Sequence, residues 1–193
     1  MTFKKMEFTD DFMFRKVMEN QKICTHLLEI LLDVYLKDSD RVFDVEMQTR
    51  IYGDEGLRAR YYQSEIDMKM LDRREPYRNL KESYIIFLCT KAPFGKGLPI
   101  YIFENLCRQD NSIKLDDRTF KYFFNASAAD KIQGNEEVKK LLTYISTHVP
   151  DSAFTHKINP HSTKQAPGTA RDEDVPGVFF CWCHKTLGQL KLP

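Results

Sequence analysis

Asp33, Asp44, Glu46 and Gln48 are the residues whose types and spacing suit chemistry in this chain of 193 residues. Acidic side chains gathered on one face form a set of oxygen donors. Such a set suits a hard divalent cation, most simply Mg²⁺, which one or two carboxylates usually hold. A β-hairpin would bring the four together. Apolar residues alternate with polar ones in two arms, Val34 and Leu36 in the first and Phe43, Val45 and Met47 in the second, around a polar turn. If the apolar side chains of both arms share a face, Asp33, Asp44, Glu46 and Gln48 share the other. A register that pairs Leu36 with Phe43 and Val34 with Val45 sets Asp33 opposite Glu46. Like charges in direct opposition destabilise a sheet, so this pair points to a cation between them. The plain alternative is a solvated charged face, which is ordinary on antiparallel sheets.

The elements around this hairpin alternate in type. Thr9 caps a predicted amphipathic helix with Asp10 and Asp11 in its first turn and Phe14, Val17, Met18, Cys24, Leu27, Leu28 and Leu31 along its apolar stripe. Between Leu28 and Val34 the periodicity changes from helix to strand with no Gly, Pro or Asn to turn the chain. A second helix is predicted over 57–71, with Tyr62, Ile66 and Met70 on one stripe and Gln63 and Asp67 four apart on another. Residues 84–89 read as a buried central strand, 100–103 as a further strand and 118–124 as a β-prone aromatic stretch. Asn135 caps a last helix that carries Val138, Leu141, Leu142 and Ile145. The fold class is therefore α/β.

Taken in order, several segments resemble one family. They are Phe8-Thr9-Asp10-Asp11-Phe12-Met13-Phe14, the 32–48 hairpin, Arg58-Ala59-Arg60-Tyr61-Tyr62-Gln63-Ser64-Glu65-Ile66-Asp67, Tyr84-Ile85-Ile86-Phe87-Leu88-Cys89-Thr90 and Pro93 to Asn105. This order is similar to that of the Rpn family of recombination-promoting nucleases and putative transposases, a branch of the PD-(D/E)XK nuclease superfamily. The resemblance covers roughly residues 6–158. It implies a restriction-endonuclease-like core, a mixed β-sheet flanked by helices, and a Mg²⁺-dependent DNA endonuclease associated with recombination. On that comparison Asp33 and Glu46 hold the metal. Gln48 stands where the superfamily has lysine, and it orients water or phosphate without exchanging protons. Gln63 has a supporting role. Family members carry a further strand and loop between the first helix and the leucine before Asp33, so the resemblance implies an internal deletion near Leu31 or Leu32 and a sheet lacking one strand. Two rivals accompany this reading: a catalytically silent nuclease fold kept for DNA binding or self-association, and a gene remnant without function.

Composition bounds the rest. The 29 basic and 28 acidic residues nearly cancel, so no global field advertises nucleic acid. Residues 58–81 are locally basic, with seven Arg or Lys and four Asp or Glu, and Arg58 and Arg60 are candidate phosphate contacts unless they pair with Glu55 or Asp67. Neither a signal-peptide core nor a membrane-spanning apolar run is evident, and five irregularly spaced cysteines read as free thiols, which together predict a soluble cytoplasmic protein without membrane contact. Cys181-Trp182-Cys183-His184 has no zinc-site spacing. The Gly95-Lys96-Gly97 turn lacks the spacing of a phosphate loop. One domain is expected over 1–158, followed by a divergent, poorly ordered tail over 159–193 with an exposed apolar stretch at Val178 to Trp182.

Overall fold

The computed structural model describes residues 7–33, 41–149 and 181–182, arranged as helices on both faces of a mixed five-stranded sheet. In chain order the elements are α1 (Asp11–Met18), α2 (Gln21–Leu32), β1 (Arg41–Gln48), α3 (Glu55–Met70), β2 (Glu82–Cys89), β3 (Ile100–Phe103), β4 (Thr119–Asn125), α4 (Glu136–Thr147) and β5 (Cys181–Trp182). The sheet order is β3-β4-β2-β1-β5. β1, β2, β4 and β5 run parallel, and β3 is antiparallel to β4. β1 and β2 are buried along nearly their whole length, as expected of parallel strands covered on both faces.

Alternation along each strand sorts the side chains between two cores. Phe43, Val45 and Met47 of β1 and Tyr84, Ile86 and Leu88 of β2 meet α1, α2 and α4 through Phe14, Leu27, Leu28, Leu141 and Leu142. On the opposite face Val42, Ile85, Phe87 and Phe123 meet Ala59, Tyr62 and Ile66 of α3. The polar residues of β1 therefore point at α3.

Several expectations hold closely. The helix predicted over 57–71 is Glu55–Met70, the central strand over 84–89 is Glu82–Cys89, and Asn135 caps α4 by accepting the Val138 N–H at 3.0 Å. The first helix departs from expectation. It is two helices, because Asn20 adopts an extended conformation and its side chain accepts the N–H groups of Lys22 and Ile23 at 3.1 and 3.2 Å, starting α2 afresh. Asp10, not Thr9, occupies the cap position of α1, and its carboxylate turns back to the Glu7 N–H at 2.8 Å.

The tail expected over 159–193 lies outside the described residues apart from Cys181–Trp182, whose backbone pairs with Phe43 and Asp44 on the free side of β1. Among the described residues no helix is long and apolar enough to cross a membrane.

Candidate active site

Burial of polar side chains marks the α3 face of the sheet. Asp44, Glu46 and Gln48 of β1, Ser83 of β2, and Glu55 and Gln63 of α3 are all buried. Charged and amide groups are seldom buried without partners or a purpose, so their concentration between one strand pair and one helix is informative. Glu55 is structural: its Oε1 accepts the Tyr52 and Gly53 N–H groups at 2.8 and 3.2 Å and ties down the loop that enters α3.

Glu46 and Gln48 converge on Arg58. Residues 58 and 62 lie one helical turn apart on α3 and share a stripe facing β1. Arg58 donates from Nη1 to Gln48 Oε1 and from Nη2 to the Tyr62 hydroxyl at 2.8 Å, and Nη2 lies 3.7 Å from Glu46 Oε2. Gln48 Nε2 in turn donates to the Arg50 carbonyl. The guanidinium carbon sits 5.6 Å from the Tyr62 ring centre and 5.7 Å from that of Phe87, within cation–π range. Burial works against the Arg58 charge, yet its bond to Tyr62 and the nearby Glu46 carboxylate hold its pKa above the ordinary value. One cation is thus held between a carboxylate and an amide oxygen two residues apart on β1.

Asp44 lies deeper on the same face. Burial first, and then the charges of Glu46 and Glu65, push its carboxyl up to about 8, while Arg58 and Lys69 pull the other way. Near neutrality it is largely protonated. Cys89, the ladder partner of Gln48, is pushed up to about 12 chiefly by burial, so it remains a thiol and is no nucleophile.

The placement of Asp33 requires a correction. Asp33 is not on a strand and does not oppose Glu46. It ends α2 as an exposed cap with φ 52° and ψ 40°, and the ladder partner of Glu46 is Phe87 of β2. The cause is the run without a helix breaker: Leu27, Leu28, Ile30 and Leu31 are all buried by α2, which continues to Leu32 and absorbs the start of the expected first arm. The remainder of that arm, including Val34 and Leu36, lies outside the described residues. The left-handed conformation at Asp33 favours glycine. Asp33→Gly is accordingly expected to stabilise the fold by up to about 1 kcal/mol in denaturant titration, whereas a loss of stability would contradict this cap geometry.

No family model, curated protein or solved structure matches this chain. The site must therefore be read from its own chemistry. Of the residues expected to act, Glu46 and Gln48 meet at Arg58. Gln63 faces β2 instead, donating from Nε2 to Ser83 Oγ at 2.7 Å and to Asp67 Oδ1 at 2.9 Å. Arg58 pairs with Glu46, not with Glu55 or Asp67, while Arg60 is exposed. Asp44 lay outside the family motif, and strand alternation was the one signal for it. Among the described residues no group of three or more His, Cys, Asp or Glu is arranged to hold a metal. Glu46 and the Gln48 amide oxygen nevertheless form a hard-oxygen pair already turned toward positive charge, which suits a divalent cation completed by water and phosphate oxygens.

Proposed function

We propose that this chain is a metal-dependent DNA endonuclease of the Rpn type, with a restriction-endonuclease-like core lacking one strand. The observation that carries this reading is the alignment of Glu46 and Gln48 at the end of β1 on a single half-buried cation, Arg58. The ordered segments from Phe8 to Asn105 support the same ancestry, and the free thiols at Cys24, Cys89 and Cys107 accord with a cytoplasmic setting.

A bound Mg²⁺ would polarise the phosphate and ease deprotonation of the attacking water. Glu46, with the Gln48 amide oxygen beside it, would hold the ion. The amide of Gln48 orients water or a phosphate oxygen, since it hydrogen-bonds but does not titrate. Arg58 turns from Glu46 to the phosphate's non-bridging oxygens, which its planar fork of donors matches. Tyr62 keeps the guanidinium close to the strand during that exchange. Asp33, at the exposed end of α2, takes no part.

The pairing of Arg58 with both Glu46 and Gln48 also favours a second reading, in which the guanidinium permanently replaces the metal and the fold serves DNA binding or self-association. Incubation with supercoiled plasmid separates the two. Nicking that requires Mg²⁺ and stops with EDTA supports the endonuclease. Salt-sensitive DNA binding with no cleavage in Mg²⁺ or Mn²⁺ would overturn it in favour of the binding protein.

A further inference from the structure

β3 ends one side of the sheet, and among the described residues no strand pairs with its outer edge. The register shows which backbone groups that edge presents. The Asn125 N–H donates to the Pro99 carbonyl at 2.8 Å, and bonded and non-bonded pairs alternate along an antiparallel ladder. Tyr101 and Phe103 therefore bond to β4, while Ile100 and Ile102 turn their N–H and C=O groups outward. The chain keeps this alternation beyond β3. The Leu115 N–H donates to the Asn105 carbonyl and the Cys107 N–H to the Ile113 carbonyl, both at 2.9 Å, which turns the backbone groups of Leu106 outward as well.

An open edge is a template for further pairing, and proteins ordinarily blunt it with lysines, prolines, bulges or charges. Residues 100–106 hold no lysine and no proline. Glu104 is their single charge, and Lys114 neutralises it at 2.7 Å. Side chains make the edge stickier still: Leu98, Ile102, Phe103, Leu106, Ile113 and Leu115 are all exposed within this one stretch of chain. Exposed apolar residues concentrated in this way mark an interaction surface. The described part of the C-terminal segment, Cys181–Trp182, lies against β1 at the opposite edge and so does not cover β3.

A second copy of the strand fits this edge in one register. Only outward-facing residues can exchange bonds across the new seam, so a two-fold antiparallel pairing must be centred on a residue. Centred on Phe103, it sets Phe103 against its own mate, Ile102 against Glu104 and Ile100 against Leu106, which gives an aromatic pair and an apolar pair with no like charges in opposition. Centred on Glu104, it would oppose two carboxylates. Centred on Ile102, it would call on Leu98 to pair with Leu106, but Leu98 already gives its N–H to the Tyr101 hydroxyl and its carbonyl to Asn125 Nδ2, both at 3.0 Å. We propose that this chain dimerises through β3, with residues 100–106 pairing antiparallel with the same residues of a second copy around Phe103, so that the two sheets join into one. This surface lies apart from the Glu46–Arg58 cluster, and the proposal stands whether or not the chain cuts DNA.

Sedimentation equilibrium of the full chain at micromolar concentration should give twice the mass of one chain. Ile102→Lys puts like charges on the seam and should be monomeric at that concentration, with an unchanged circular dichroism spectrum, because residue 102 is exposed and its N–H lies outside the β4 ladder. Ile102→Pro should do the same by removing an outward donor. Cross-linking reads the seam without either variant. Phe103→Cys, opposite its own mate in a non-hydrogen-bonded pair, should form an intermolecular disulfide on mild oxidation above the level given by the native cysteines, whereas Ile102→Cys, opposite Glu104, should not. A monomeric native chain, a mass that keeps growing with concentration, a dimer that survives in folded Ile102→Lys, or linking at residue 102 in place of 103 would each overturn the proposal, and a monomer would leave the edge to a strand from a different protein.

Discussion

Glu46→Gln is expected to slow Mg²⁺-dependent plasmid nicking by about 10²- to 10³-fold, the scale of losing one preorganised electrostatic partner of a phosphoryl transition state. The substitution keeps the shape of a side chain that is only 5 % exposed and removes its charge. The site then has two neutral amide oxygens and no negative charge to anchor a divalent cation, and Arg58 loses the carboxylate that lies 3.7 Å from its Nη2. Because the change is nearly isosteric, circular dichroism and the unfolding midpoint should show a folded protein, which separates lost chemistry from lost structure. Asp33→Ala, run beside it, should leave the rate unchanged, since Asp33 caps α2 away from the β1 ladder. Equal loss of nicking in both variants would mean that Asp33 does reach the ion and that the assignment to β1 is wrong.

Asp44→Asn should stabilise the protein in alkaline solution and remove the part of the pH dependence of its stability that Asp44 contributes between about pH 4 and pH 8. The Asp44 carboxyl titrates at 3.8 in the reference state and at about 8 in the fold. Between those values the native state keeps a proton that the unfolded chain has released, so stability falls as pH rises through this window and the full penalty is present above it. Each pKa unit corresponds to about 1.4 kcal/mol. Asparagine, neutral at every pH, should gain on the order of a few kcal/mol over the native protein at pH 9, and little at pH 4. Urea titrations across the window would measure this difference. Parallel stability curves for the two proteins would show that Asp44 ionises in the fold as easily as in water. Asp44 is thus carried largely as a neutral acid beside Glu46, a perturbation of the kind that functional sites concentrate.

Local pattern made much of this architecture legible. The alternation Phe43, Val45, Met47 against Asp44, Glu46, Gln48 correctly puts the two sets on opposite faces of the strand, because a strand's period of two is a property of the backbone alone, but it does not show that α3 covers the polar face. The buried run at 84–89 and the stripe of Tyr62, Ile66 and Met70 were equally readable. Pairing was not. The hairpin expectation joined β1 to its immediate predecessor, whereas β1 lies parallel to β2, and the intervening α3 makes that contact nonlocal. The break at Asn20 was missed because the apolar stripe continues across it, although an Asn ahead of a helical stretch is a capping signal. From the sequence Arg58 reads as a candidate phosphate contact or as a partner of Glu55 or Asp67. Its true partners, Glu46 and Gln48, are set by how α3 crosses β1, a geometry that sequence spacing does not encode.

Calorimetric titration of Mg²⁺ into the folded protein and into Glu46→Gln, under identical buffer and salt, tests the central claim most directly. The oxygen pair at the end of β1 predicts one ion bound per chain in the native protein and loss of that site in the variant. Absence of binding in the native protein, or the same binding in both, would show that Glu46 and Gln48 serve only to hold Arg58.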